Sequence, residues 1–136
     1  MKLRILIAED DRFARVGLCQ VIRSRTPHRI VGEAANGEEA VRLAAEKKPD
    51  VVIMDAAMPG MDGVEATRRI LAQQPDTRIL VVSMHDEEEW IRAMFQAGAR
   101  GFILKGAGIA VLREALEAVA AGKFYVDEGM ITDVVM

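Results

Sequence analysis

The chain has 136 residues, 51% hydrophobic and 29% charged, with a formal net charge of −3. That length suits one domain burying about two-thirds of its unfolded surface, and the mild acidity gives no electrostatic footprint for nucleic acid or an anionic membrane. No apolar run reaches the length of a membrane span, and Met1-Lys2-Leu3-Arg4 leads into a strand pattern rather than a secretory leader. A single cysteine, Cys19, excludes an internal disulfide, so the expected compartment is the cytoplasm.

Apolar runs alternate with helical periods along the chain. Residues 3–8 (LRILIA) read as a first strand, followed from Asp11 by a helix with Ala14, Gly17, Leu18, Val21 and Ile22 on one face. Residues 29–35 (RIVGEAA) form a second, less apolar run, with Gly32 and Glu33 in it. Asn36 with Glu39 then reads as a cap and capping box before Ala40, Val41, Leu43 and Ala44. The third run, residues 50–55 (DVVIMD), ends on Asp55 and breaks into a loop containing Met58-Pro59-Gly60; a helix over residues 63–74 carries Val64, Thr67, Ile70 and Leu71. Residues 78–83 (RILVVS) are the fourth run, and Asp86 with Glu89 opens a helix that Gly98 closes. The fifth run, residues 101–105 (GFILK), precedes a helix from about Gly108 to Ala121, with Gly122 as its stop.

Five strands alternating with five helices predict an α/β fold, a parallel sheet covered on both faces. Right-handed crossovers favour the flavodoxin-like doubly wound order 2-1-3-4-5, with the second and fifth strands at the edges and a ligand crevice at the carboxyl ends of strands one and three. Residues 1–122 form the domain and residues 123–136 a tail. The apolar residues of 130–136 (MITDVVM) have nothing left to pack against, as expected of a chain cut at an interdomain linker.

The carboxyl ends of the strands hold the polar chemistry: Glu9, Asp10 and Asp11 after the first, Asp55 after the third, Ser83 after the fourth and Lys105 after the fifth. Crowded carboxylates repel unless a cation or proton intervenes. Oxygen ligands without a histidine or cysteine cluster suit Mg²⁺, which keeps waters and accepts a phosphate oxygen. With Lys105 as a second positive charge and Ser83 as a hydroxyl donor, the set reads as a phosphoryl site. Taken singly, each residue has a plainer reading: Asp55 as a turn residue, Lys105 as a solvated strand end, Asp11 as a helix cap.

The segments ILIAEDD, RVGL, VGEAANGEEA, PDVVIMDAAMPGMDGVEAT, ILVVSMHD, AGARGFILKG and AGKFYV together resemble the receiver domain of bacterial two-component response regulators. The nearer resemblance is to the subgroup usually fused to a LuxR-type (NarL/FixJ-like) helix-turn-helix. This implies a phosphorylation-activated signalling switch. Asp55 is then the acceptor of a phosphoryl group from a sensor histidine kinase. Asp10, Asp55 and the backbone carbonyl of Ala57 are the ligands of Mg²⁺, for which Mn²⁺ can substitute, and Glu9 acts through water. Lys105 pairs with the phosphoryl oxygens, Ser83 turns its hydroxyl to them, and Phe102 stands at the family's aromatic switch position. Ala57 and His85 occupy positions that tune dephosphorylation. The resemblance further implies self-catalysed phosphorylation and dephosphorylation rather than conventional enzyme turnover, a homodimer on phosphorylation, and transcription regulation in a full-length protein. No nucleic acid or membrane is expected to bind this chain itself.

Gly106 stands where many receivers have proline, a mark of the subgroup. His28 reads as a surface residue and Cys19 as a partly buried helix residue, while Trp90 reads equally as helix packing or an interface anchor. A phosphorylation-independent binding module with a vestigial site is the alternative, disfavoured by the full set Asp10, Asp55, Ser83 and Lys105. A haloacid-dehalogenase-type phosphatase would want an Asp where Ala57 stands, and no Gly-x-Gly-x-x-Gly follows the first strand for a dinucleotide.

Overall fold

The computed structural model describes residues 2–127, so the apolar stretch 130–136 lies outside the described residues. Elements alternate in chain order: β1 (Arg4–Ala8), α1 (Arg12–Arg25), β2 (Arg29–Ala34), α2 (Gly37–Lys47), β3 (Val51–Met54), α3 (Gly63–Gln73), β4 (Arg78–Ser83), α4 (Glu88–Ala97), β5 (Gly101–Leu104), α5 (Ile109–Ala120) and β6 (Tyr125–Val126). The sheet order is β2-β1-β3-β4-β5-β6, parallel at every pairing. The expected order of the first five strands and the five helices are present, but the sheet has six strands, not five. β6 lies in the stretch read as a tail, and its cause is the open edge of β5: Tyr125 N–H donates to the Arg100 carbonyl and Asp127 N–H to that of Phe102.

Side chains alternate across this sheet with the period of two that strand geometry imposes. Leu6, Ala8, Val52, Met54, Ile79, Val81 and Phe102 pack against α2, α3 and α4 on one face. Ile5, Ile7, Val51, Ile53, Leu80, Val82 and Ile103 pack against α1 and α5 on the other. Both faces are covered, so β1, β3 and β4 are near-continuous apolar runs, as parallel strands require.

α2 begins at the cap its sequence signals, whereas α4 begins later. Asn36 caps α2 by accepting from Glu39 N–H at 2.9 Å, while Glu39 Oε1 accepts from Ala35 at 2.7 Å, closing the capping box one residue early. α4 starts at Glu88, after a Glu87 cap that makes no side-chain bond, rather than at Asp86. Ser83 Oγ draws the His85 N–H into a turn at 3.1 Å, which delays the helix. In α1 the buried residues are Cys19 and Ile22, whereas Ala14, Leu18 and Val21 border an apolar cleft of about 350 Å³ towards α5. Gly17 lines the same cleft as these three residues and is exposed there.

Close approach fixes the β3–α3 connection. A Cβ on Gly63 would lie 2.1 Å from the Asp55 carbonyl oxygen, and one on Gly37 would lie 2.4 Å from that of Met61. Both contacts are with backbone, which cannot swing aside. Gly63→Ala is therefore expected to destabilise by about 1–3 kcal/mol or more, read as the urea midpoint. Gly17→Ala, with nothing within 4 Å of its Cβ, should stabilise by roughly 0.5–1 kcal/mol.

A second prediction concerns pH. His28 Nδ1 accepts the Leu3 N–H at 3.0 Å, so the neutral ring is the one that pins the start of β2 to β1. Burial holds the His28 pKa below its ordinary value. The unfolded chain therefore takes the proton first, and this contribution is complete above about pH 6.5 and lost as pH falls below it. Melting at pH 7.5 and 5.5 should show a larger loss in the native protein than in His28→Gln.

Candidate functional site

Each polar residue at the carboxyl edge is placed by the end of a strand. β1 delivers Glu9, whose N–H donates to the Ala34 carbonyl at 2.9 Å. Asp11 turns the chain into α1, its Oδ1 accepting from the N–H of Phe13 at 2.8 Å and of Ala14 at 3.3 Å. Asp11 is thus a helix cap, the plainer of its readings. β3 delivers Asp55, whose N–H donates to the Ala8 carbonyl at 3.0 Å, placing it beside the end of β1. Gly60, with φ +74°, turns the following loop. β5 delivers Lys105, whose N–H donates to the Ser83 carbonyl at 2.9 Å.

Three carboxylates meet there. Glu9, Asp10 and Asp55 each offer an oxygen, all within 4.8 Å of one another. Asp55 is 5% exposed, Glu9 is equally buried, and Asp10 faces solvent. Lys105 Nζ lies 3.3 Å from Asp55 Oδ2 and forms a close ion pair with Glu9 Oε1. A single ammonium therefore bridges β1 and β3. Glu9, with its longer side chain, reaches Lys105 directly.

The electrostatics follow. Burial pushes the Glu9 carboxyl above the usual range, against the pull of the Lys105 hydrogen bond. Desolvation, with Glu9 as neighbour, also raises Asp10. Burial works against the charged form of Lys105, but Glu9 and Asp55 outweigh it and hold the ammonium pKa above its ordinary value. Three acidic groups facing one ammonium leave room for further positive charge. An all-oxygen donor set of this kind fits a hard divalent cation.

Ser83 is fully buried at the end of β4, with its Oγ accepting the His85 N–H. Phe102 is also fully buried, in the core beside α4. Ala57 is half-buried, its N–H 3.4 Å from Asp55 Oδ1. His85 stands apart from the carboxylates: its ring is exposed, 5.8 Å from that of Trp90 and 3.5 Å from a Glu87 oxygen. Gly106, with φ +114°, adopts a conformation closed to proline. One residue at the site carried no sequence signal. Arg15, on α1, donates through Nη1 to the Glu9 carbonyl at 2.7 Å. An arginine six residues after an acidic strand end reads as a solvated helix residue until the helix is placed.

The response regulator receiver domain family matches residues 5–117. Among curated relatives, the response regulator GacA of Pseudomonas viridiflava is 39% identical over 91% of this chain and 58% of its own length. The oxygen regulatory protein NreC of Staphylococcus carnosus is 37% identical over 98% of this chain and 62% of its own. The chain thus spans a little over half the length of these relatives. A crystal structure of a LuxR-family two-component response regulator from Aurantimonas sp. aligns with TM-score 0.93 at 35% identity, covering 99% of this chain and 96% of that one. The signal receiver domain of the response regulator NarL from Mycobacterium tuberculosis aligns with TM-score 0.84 at 32% identity, covering 90% and 98%. With the parallel sheet, the acidic crevice and these matches agreeing, the chain belongs to the response regulator receiver domain family, in its LuxR-associated (NarL/FixJ-like) subgroup.

Proposed function

We propose that the chain is a phosphorylation-controlled switch that takes a phosphoryl group from the phosphohistidine of a sensor kinase onto Asp55. The observation that carries this reading is the convergence of Asp55, Glu9 and Asp10 with the Lys105 ammonium at one strand edge. A carboxylate oxygen of Asp55 attacks phosphorus, the P–N bond to the donor imidazole breaks, and the imidazole leaves with a proton. Asp10, Asp55 and the carbonyl of Ala57 would hold Mg²⁺, with Glu9 outside them. When bound, the cation supplies positive charge to phosphoryl oxygens.

The chain's own groups do the rest. Lys105 already lies against Asp55 and stays with the negative charge as it passes to the phosphoryl oxygens. The Ser83 hydroxyl accepts from His85, which leaves its own proton available as a donor. Ser83 pairs with Leu104 and Val81 with Phe102 across β4 and β5. A pull on Ser83 is therefore felt at the Phe102 strand, and a changed surface there controls dimerisation or an output domain. Phe13, 89% exposed at the start of α1 just after the β1–α1 turn, offers a docking kinase an apolar contact. Ala57 gives a hydrolytic water no side-chain partner, and His85 is held towards Trp90 and Glu87, so we assign both only to tuning the phosphate lifetime. DegU of Brevibacillus brevis, 36% identical, is a transcriptional regulatory protein; in a longer protein with an output domain after a linker from residue 123, regulation of transcription is the corresponding role.

Intact-protein mass after incubation with acetyl phosphate tests this reading. One phosphoryl adduct that requires both Mg²⁺ and Asp55, absent in Asp55→Asn, is expected. Lys105→Met should slow adduct formation on the order of 10²-fold. A folded wild-type protein that forms no adduct and binds no Mg²⁺ would favour the phosphorylation-independent binding module.

A further inference from the structure

We propose that Arg15 is a positioning residue for the cation site, setting the orientation of the Glu9–Asp10 peptide and through it the Asp10 carboxylate. This rests on the reading of Glu9, Asp10 and Asp55 as the acidic end of a phosphoryl site. The three residues between β1 and α1 are held from several sides. Glu9 N–H donates to the Ala34 carbonyl, Asp11 N–H donates to Glu9 Oε2 at 3.1 Å, and Asp11 caps α1. The Glu9 carbonyl points the other way and receives Arg15 Nη1 at 2.7 Å. Since that carbonyl and the Asp10 N–H belong to one rigid peptide plane, fixing the carbonyl fixes the plane from which Asp10 leaves the strand and narrows the directions open to it. Asp10 is exposed, so packing does little to orient it, and the plane behind it does the work.

Arg15 is built for this task rather than for solvent. Its side chain is 18% exposed, and its Nε lies 3.5 Å from Glu33 Oε1 on β2, with Arg23 3.9 Å from the other Glu33 oxygen. Glu33 thus holds the guanidinium from behind and offsets its charge, so the hydrogen bond is delivered to the loop with little added repulsion towards a cation. The fork geometry of arginine lets it bond both groups at once, which a lysine ammonium does less well.

Two accounts of Arg15 predict opposite signs. If it acts only as a charge, its removal relieves repulsion and Mg²⁺ binds more tightly. If it positions Asp10, its removal loosens the ligand and Mg²⁺ binds about 10-fold to 100-fold more weakly, the usual consequence of losing an outer partner of a metal ligand. The experiment is calorimetric titration of MgCl₂ into the whole chain as wild type and Arg15→Met, with circular-dichroism melting of both. Weaker binding by about 10-fold or more in a folded Arg15→Met supports the proposal. Equal or tighter binding overturns it, including when the melting temperature falls, since a merely structural role would lower stability and leave affinity alone. If Arg15→Met does not fold, Arg15→Gln takes its place with the same two outcomes. A wild-type protein that binds no Mg²⁺ overturns the underlying reading of the site, and the role of Arg15 with it.

Discussion

The bridge made by Lys105 between Glu9 and Asp55 is the interaction on which the carboxyl edge of this protein depends. Two nearly buried carboxylates from adjacent strands would repel across the crevice, and Asp10 adds a third. One ammonium, brought from β5 past the end of β4, lies against both. Its placement needs the strand order: β1 and β3 must be neighbours, and the loop after β5 must fold back over them. Parallel topology puts all these carboxyl ends on one side, so the charge cluster follows from the fold.

The backbone around that bridge has little freedom. Gly63 lets α3 begin in contact with the Asp55 carbonyl, and Gly37 lets α2 begin against Met61. The strand that carries Asp55, its loop and two helices are thereby locked together by backbone contacts. Below them, Ile53 and Met54 are buried on opposite faces of β3, in the two halves of the core. The carboxylate of Asp55 is thus set on a rigid support, whereas the loop glycines Gly60 and Gly106 stand in open space.

Much of this was legible because burial on both faces leaves a strong trace: β3 is four apolar residues, and β4 is apolar between Arg78 and Ser83. Carboxylates at the ends of such runs stand out, so Asp55, Asp10, Glu9 and Lys105 could be named from the sequence. Features set by long-range contact were not legible. β6 is two residues long, too short to show a period, and exists because β5 offers an edge. The start of α4 follows a turn in which Ser83 Oγ accepts the His85 N–H, and the cleft that Gly17 lines forms only when α1 and α5 are assembled. The pairing of Glu9 with Lys105 joins the ends of β1 and β5, which only the assembled sheet brings together. Arg15 is hidden for the same reason: its hydrogen-bond partner is a main-chain carbonyl, which has no letter of its own.

Stability alone does not account for the cluster. Removing charges from water costs several kcal/mol per ion, and well-packed apolar residues in place of a buried ion pair are often as stable or more so. Here the balance is worse than for a simple pair, because three carboxylates face one ammonium and desolvation raises the pKa of both Glu9 and Asp10. The apolar core beneath carries that cost. What the arrangement provides in return is an anionic pocket whose surplus negative charge is open to solvent through Asp10, a donor set of the kind that fits a hard divalent cation. Packing alone would be served by an apolar residue after Met54, the last residue of β3; this chain has Asp55 there.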